Sequence, residues 1–166
     1  MGEIRLNLGC WDDIREGYIN IDLYSESSGV VKMDIENLQY ENDYADEILS
    51  YHVIEHFDFQ QASRVLAEWY RVLKQGGRLH LETPDCLASF QAFIDADKLK
   101  RLAICGHIFG QPWLPGQAHL FLWTEEHLKW QLSAVGFKNI ARLVADSNYT
   151  KGPHPSSMSL NLEAFK

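Results

Sequence analysis

Two short alternating runs near the start of the chain constrain its fold more than any other feature. Residues 4–8 lead into Gly9-Cys10, and residues 18–22 end in Asp22. Each run alternates apolar and polar side chains and reads as a β-strand. Side by side in an open α/β sheet, such strands bring a backbone turn and a carboxylate together at their carboxyl ends, the edge where nucleoside cofactors bind. Residues 30–34, 46–50 and 78–82 read as three further strands. Only nine residues separate Leu8 from Tyr18, and seven separate Asp22 from Val30. A crossover helix with its turns takes about a dozen residues. The early crossover helices are therefore predicted to be reduced or missing. Arg5, Asn7, Asn20 and Lys32 agree, because they interrupt runs that a doubly covered sheet would keep apolar. That face is expected to be covered by residues 86–104 or by a second copy of the chain in a homodimer.

A helix is predicted from Asp58, where Gln61 completes a capping box and Ala62, Val65, Leu66, Trp69, Val72 and Leu73 form one apolar stripe. Arg71 and Lys74 lie in its last turn, and Gly76-Gly77 is expected to stop it. A second helix starts at Thr124 and ends at Gly136. Residues 138–144 and 158–165 read as the last two strands, joined by a loop containing Gly152-Pro153 and Pro155. Length places all 166 residues in one domain, 1–166. A net charge of −8 argues against a nucleic-acid partner. No apolar run approaches the ~20 residues of a membrane span, and nothing reads as a secretory signal. Cys10, Cys86 and Cys105 lack metal or disulfide spacing, so a cytoplasmic protein with idle thiols is expected.

Four segments carry a resemblance: Leu6-Asn7-Leu8-Gly9-Cys10, Gly17-Tyr18-Ile19-Asn20-Ile21-Asp22, Ser50-Tyr51-His52-Val53-Ile54-Glu55-His56 and Val72-Leu73-Lys74-Gln75-Gly76-Gly77-Arg78-Leu79-His80-Leu81. In this order and spacing the chain resembles the small class I methyltransferases of the type-11 family. The resemblance implies a Rossmann-like methyltransferase fold, an α/β domain with a mostly parallel seven-strand sheet and an antiparallel β6–β7 end. It also implies S-adenosylmethionine as cofactor. Matched position by position, Gly9 and Cys10 would border the cofactor's amino-acid moiety and sugar, and Asp22 with Leu23 would hold the ribose, the carboxylate accepting two hydrogen bonds. Asp34 would bond the adenine amino group while Ile35 packs on the ring. Ser50, Tyr51 and His52 would line the sulfonium side. Trp11 departs from the pattern, standing where similar proteins carry glycine; it either swings out and stacks near the cofactor or blocks the pocket. A nicotinamide cofactor is disfavoured, because no Gly-x-Gly-x-x-Gly opens a helix.

The segment from His52 to His56 fits two further patterns. His-x-x-Glu-His is the inverted zinc-peptidase motif, but that motif needs a long helix, and here a strand precedes and Asp58 opens a new cap. The segment also resembles the metal-assisted O-methyltransferases, which carry Glu-x-x-Glu-His; His52 replaces the first Glu and His119 is a distant fourth group. A divalent ion on His52, Glu55, His56 and His119 would polarise an acceptor hydroxyl. Metal-free relatives also carry Glu-His here, where it hydrogen-bonds the start of the next helix, and the metal-free reading is preferred. His119 lies among the aromatics and turn formers of residues 112–123, a position that often forms the acceptor lid in this family. His56 and His119 are the candidates near the acceptor, histidine being a natural general base at neutral pH. No Asn/Asp-Pro-Pro-aromatic or Pro-Cys signature is present, which leaves O-methylation of a small-molecule acceptor; the resemblance to compact type-11 relatives, often associated with polysaccharide and secondary-metabolite pathways, implies a sugar. The rival reading is a degenerate relative that keeps the fold as a binding or assembly module.

Overall fold

The computed structural model describes residues 2–143 and 156–166. The expected loop with Gly152-Pro153 and Pro155 lies outside these residues, as does Val144, the last residue of the expected sixth strand. Seven strands form one sheet: β1 (Arg5–Leu8), β2 (Ile19–Asp22), β3 (Val30–Lys32), β4 (Ala45–Tyr51), β5 (Leu73–Pro84), β6 (Lys138–Arg142) and β7 (Ser159–Phe165). Their order is β3-β2-β1-β4-β5-β7-β6. Strands β1 to β5 run parallel, and β7 is antiparallel to both neighbours. This is the Rossmann-like architecture the sequence predicts.

Helix α1 (Phe59–Val72) starts on the predicted capping box: the Asp58 carboxylate accepts from the backbone of Gln60 and Gln61, and the Gln61 side chain accepts from Asp58 N. Gly76-Gly77 does not stop it. The helix ends at Val72, Leu73 is already extended, and both glycines lie inside β5. Strand β3 is likewise shorter than expected: Asp34 stands in the turn that follows, where its Oδ1 accepts from Glu36 N. Helices α2 (Cys86–Asp95) and α3 (Lys98–Phe109) follow β5. Helix α4 (Glu125–Val135) is capped by Thr124 and closed at Gly136, as predicted.

Strand alternation sorts side chains onto two faces. Leu6, Leu8, Ile21, Ile48, Leu79, Leu81 and Leu162 share one core with Val65, Leu66 and Trp69 of α1 and Leu128 and Leu132 of α4. The opposite face is polar, and no helix joins β1 to β2, β2 to β3, or β3 to β4. The connection at residues 10–18 serves as cover there. Asn7 Nδ2 donates to Asp13 O and Asn20 Oδ1, and Asn20 Oδ1 also accepts from Arg15 N. The Tyr18 hydroxyl and the Arg78 guanidinium both bond the Glu47 carboxylate. Asn7, Asn20 and Glu47 are buried in consequence. Residues 86–104 do not take the expected covering role over β1 and β2. They form α2 and most of α3, which pack on each other, with Ile104, Ile108 and Met158 at the centre of a small second core. Among the described residues no helix is long and apolar enough to cross a membrane.

Candidate active site

A cleft of about 820 Å³, open mouth included, lies at the carboxyl ends of β1, β2 and β4. In open α/β sheets this edge, at the carboxyl ends of adjacent strands, is where nucleoside cofactors bind. Of the residues expected at the cofactor, Gly9, Asp22, Leu23, Asp34, Ile35 and His52 line this cleft, and so does His56. Gly9 has φ 68°, and a Cβ on it would lie 2.4 Å from Val53 Cγ2. Both the left-handed backbone and the wall formed by Val53 demand glycine. Asp22 is fixed by three backbone amides: Oδ1 accepts from Tyr24 N (2.7 Å) and Ser25 N (2.8 Å), and Oδ2 from Trp11 N (2.9 Å). A carboxylate offers about four acceptor positions. One remains, on Oδ2, so Asp22 is suited to a single hydroxyl rather than the two expected. Asp34 keeps its Oδ2 available, and Ile35 is anchored through its carbonyl to Trp69 Nε1.

Cys10, Ser50 and Tyr51 do not line the cleft. Cys10 is buried, and burial with the nearby Asp22 charge pushes its thiol up to about 12, so it stays protonated. Ser50 Oγ donates to Leu8 O. Tyr51 falls on the polar face, edge-on to His80 and with the Arg15 guanidinium 4.7 Å over its ring. Trp11 adopts φ 47° and is 40% exposed outside the cleft wall, so it does not block the pocket.

The histidines form a chain of contacts along one side. His52, itself left-handed at φ 54°, places Nδ1 3.2 Å from Glu55 Oε1 and Nε2 3.2 Å from Glu82 Oε1. Burial alone would lower its pKa, but the hydrogen bonds and charges of the two carboxylates outweigh burial and push it up to about 10. His52 is therefore an imidazolium with both nitrogens engaged. Burial would raise Glu55, which is fully buried, yet the His52 hydrogen bond and charge, aided by His56 and His119, hold it below the ordinary carboxylate range. Its Oε2 accepts from Thr83 Oγ1. His56 Nδ1 lies 3.0 Å from Ala118 O. A carbonyl only accepts, so Nδ1 carries a proton, and Nε2 is the nitrogen that faces away from this bond.

His119 sits behind His56 rather than on the cleft, with ring centroids 4.9 Å apart and Nε2 3.9 Å from Glu55 Oε1. Burial first, and then the charges of His56 and His52 against that of Glu55, lower its pKa. Glu55, His56 and His119 bring one donor atom each within 4.8 Å of one another, a set that a divalent ion could use. His52, committed to two carboxylates, stands outside that set.

Residues 111–120 form a lid on this side. Leu120 N and Phe121 N donate to Glu55 O, and Gly116 presses on the Tyr24 ring, which a Cβ would meet at 2.5 Å. Beside the lid lies a second, open hollow of about 650 Å³, its mouth included, walled by Pro112, Trp113, Leu114, Pro115 and Leu120 and sharing His56 with the cleft. Sequence reading missed Glu82, Thr83 and Tyr24. Two adjacent polar residues near the carboxyl end of β5, directly after Leu81, are the signal that pointed to the first pair.

Comparison with known proteins bears on the same region. The profile of a family described as a methyltransferase domain matches residues 13–81. By structure the chain is similar to S-adenosylmethionine-dependent methyltransferases of three organisms. For Methanosarcina mazei the TM-score is 0.65 at 17% identity, over 100% of this chain and 94% of that one. For Archaeoglobus fulgidus the TM-score is 0.65 at 16% identity, over 99% and 87%. For Thermotoga maritima the TM-score is 0.63 at 16% identity, over 100% and 83%. At such identities the likeness is one of fold. The curated proteins give no sequence match.

Proposed function

We propose that this chain, whose residues 13–81 match a methyltransferase-domain family, uses S-adenosylmethionine to methylate a small molecule at a hydroxyl oxygen, with His56 receiving the proton. When bound, the cofactor supplies an electrophilic methyl group, and alignment then carries much of the rate. The observation behind the proposal is the position of His56 on the boundary of two hollows. One is bordered by Gly9, Asp22 and Asp34, the other by the lid. An acceptor beside the lid would bring its oxygen toward the methyl group in the cleft. Nδ1 of His56 is held by Ala118 O, which orients Nε2 as the basic nitrogen. Histidine in its neutral form can take the proton of a weakly acidic hydroxyl. Net charge −8 and the absence of lysine and arginine from either described lining argue against an anionic acceptor. The features that favour a degenerate module each have an account that leaves the cleft open. Trp11 lies outside the wall, and the connection at 10–18 serves in place of the first helix.

Calorimetric titration with S-adenosylhomocysteine tests the cofactor half. Wild type is expected to bind in the micromolar range and Asp22→Ala at least tenfold more weakly. His56→Ala is expected to keep that affinity while methyl transfer falls by about 10²–10⁴. A His56→Ala enzyme with undiminished transfer would remove the base from the proposal, and wild type without heat of binding would remove the proposal itself.

A further inference from the structure

We propose that the hollow beside the lid takes a flat, uncharged aromatic alcohol, a phenol, whose ring lies against Trp113 and whose hydroxyl reaches His56. The inference rests on the methyl-transfer reading and names its acceptor class. The walls are Pro112, Trp113, Leu114, Pro115 and Leu120, and the one ionisable side chain among the described lining is His56. A sugar carries several hydroxyls, each needing a partner when it leaves water, since an unpaired polar group costs free energy on burial. Besides the indole N–H of Trp113, these walls offer one polar side chain, that of His56, which matches one hydroxyl on an apolar body. A phenol matches these walls better than the sugar that the resemblance implies. Anionic acceptors fit no better, because no lysine or arginine borders either hollow in the described lining.

The rim extends the same chemistry. Trp113 is 74% exposed, Leu120 58% and Phe109 61%. Phe109 joins the lid through the bond from His119 N to its carbonyl oxygen. Exposed apolar surface gathered around a concave site marks a ligand groove on an otherwise charged protein. A phenol also suits the chemistry: its oxygen attacks the methyl carbon, the carbon–sulfur bond breaks, and its electron pair stays on sulfur to give the thioether S-adenosylhomocysteine. The phenolic proton passes to His56 Nε2 and then to water. Phenols ionise near pH 10, closer to histidine than an aliphatic alcohol does, so the proton transfer is less uphill.

The test titrates three probes into protein already saturated with S-adenosylhomocysteine: 2-naphthol, 4-hydroxybenzoate and methyl α-glucoside. The expected order is 2-naphthol bound, 4-hydroxybenzoate at least tenfold weaker, and no measurable heat from the glucoside. Trp113→Ala should weaken 2-naphthol about three- to tenfold, the size of one aromatic contact, with Trp113→Phe restoring most of it and S-adenosylhomocysteine affinity unchanged in both. Glucoside or hydroxybenzoate binding as well as naphthol overturns the acceptor class. Binding of no probe overturns it too, as does naphthol affinity indifferent to Trp113. Failure of S-adenosylhomocysteine itself to bind is a separate result, seen before any probe is added, and counts against the methyl-transfer reading.

Discussion

Asn20 and Ile21 are adjacent in β2 and equally hidden from water, yet their surroundings share nothing. Ile21 packs into the core closed by α1 and α4, among leucines and Trp69. Asn20 faces the other way, into hydrogen bonds with Asn7 and with the backbone of Arg15 and Tyr18. The first face is held by area removed from water, which tolerates small shifts of position. The second is held by matched donors and acceptors, which do not. A nine-residue connection too short for a helix can cover a sheet only in the second way, because it has few apolar side chains to offer and many backbone groups to satisfy.

The largest expected effect comes from the apolar face. Trp69→Ala removes a fully buried ring and the bond that holds Ile35, and should cost about 3–5 kcal/mol in urea unfolding. A smaller loss would mean that the helix side collapses more readily than its packing implies. On the polar face, Asn20→Ala removes the carbonyl oxygen that Asn7 Nδ2 and Arg15 N share, leaving Asn7 its bond to Asp13 O, and should cost about 1–3 kcal/mol, with residues 10–18 becoming the first site of proteolysis. If Asn20→Leu were as stable as wild type, hydrogen bonding would not be what holds that cover. Trp11→Gly sharpens the contrast further. It relieves a left-handed tryptophan, a strain of about 1–2 kcal/mol, against the loss of a half-exposed ring, so the net change in stability should lie within about 1 kcal/mol. S-adenosylhomocysteine affinity should change by less than about twofold, since Trp11 is outside the cleft; a large gain would show that it obstructs entry.

The smallest effect is a pH dependence at the rim of the apolar face. The Arg71 hydrogen bond and charge, and the amide of Leu38, hold Glu68 below its ordinary value against the opposing pull of burial. A carboxylate depressed in the folded state contributes stability above its unfolded pKa near 4.5 and loses it as pH falls through the folded value. Glu68→Gln should therefore flatten the stability profile below about pH 4.5, by about 0.5 kcal/mol or less for a partly exposed pair.

Legibility in the sequence follows the range of the interaction. The Asp58–Gln61 box spans one helical turn and was readable outright, as were the strand ends at Gly9 and Asp22. Leu73 was misread because an apolar residue after Val72 satisfies a helical stripe and a buried strand equally well; the extended backbone that decides between them comes from pairing with β4. Tyr51 was misplaced through parity: it follows Glu47 and Leu49 onto the polar face, while Ser50 turns to the other. The clamp on His52 was beyond reach, since Glu82 comes from β5 and only the sheet register brings it beside the segment after β4. The polar residues in β1 and β2 announced an unusual face, but not that a loop would satisfy them.

The strand order has a consequence for the sequence of events during synthesis. β7 is made last of the seven strands, yet it lies between β5 and β6 rather than at an edge. Until residues 159–165 leave the ribosome, β5 presents a free edge of unpaired backbone groups, and β6 has no strand to pair with. The nascent chain must therefore hold that edge open, and shielded from other chains, for as long as translation of its last strand takes.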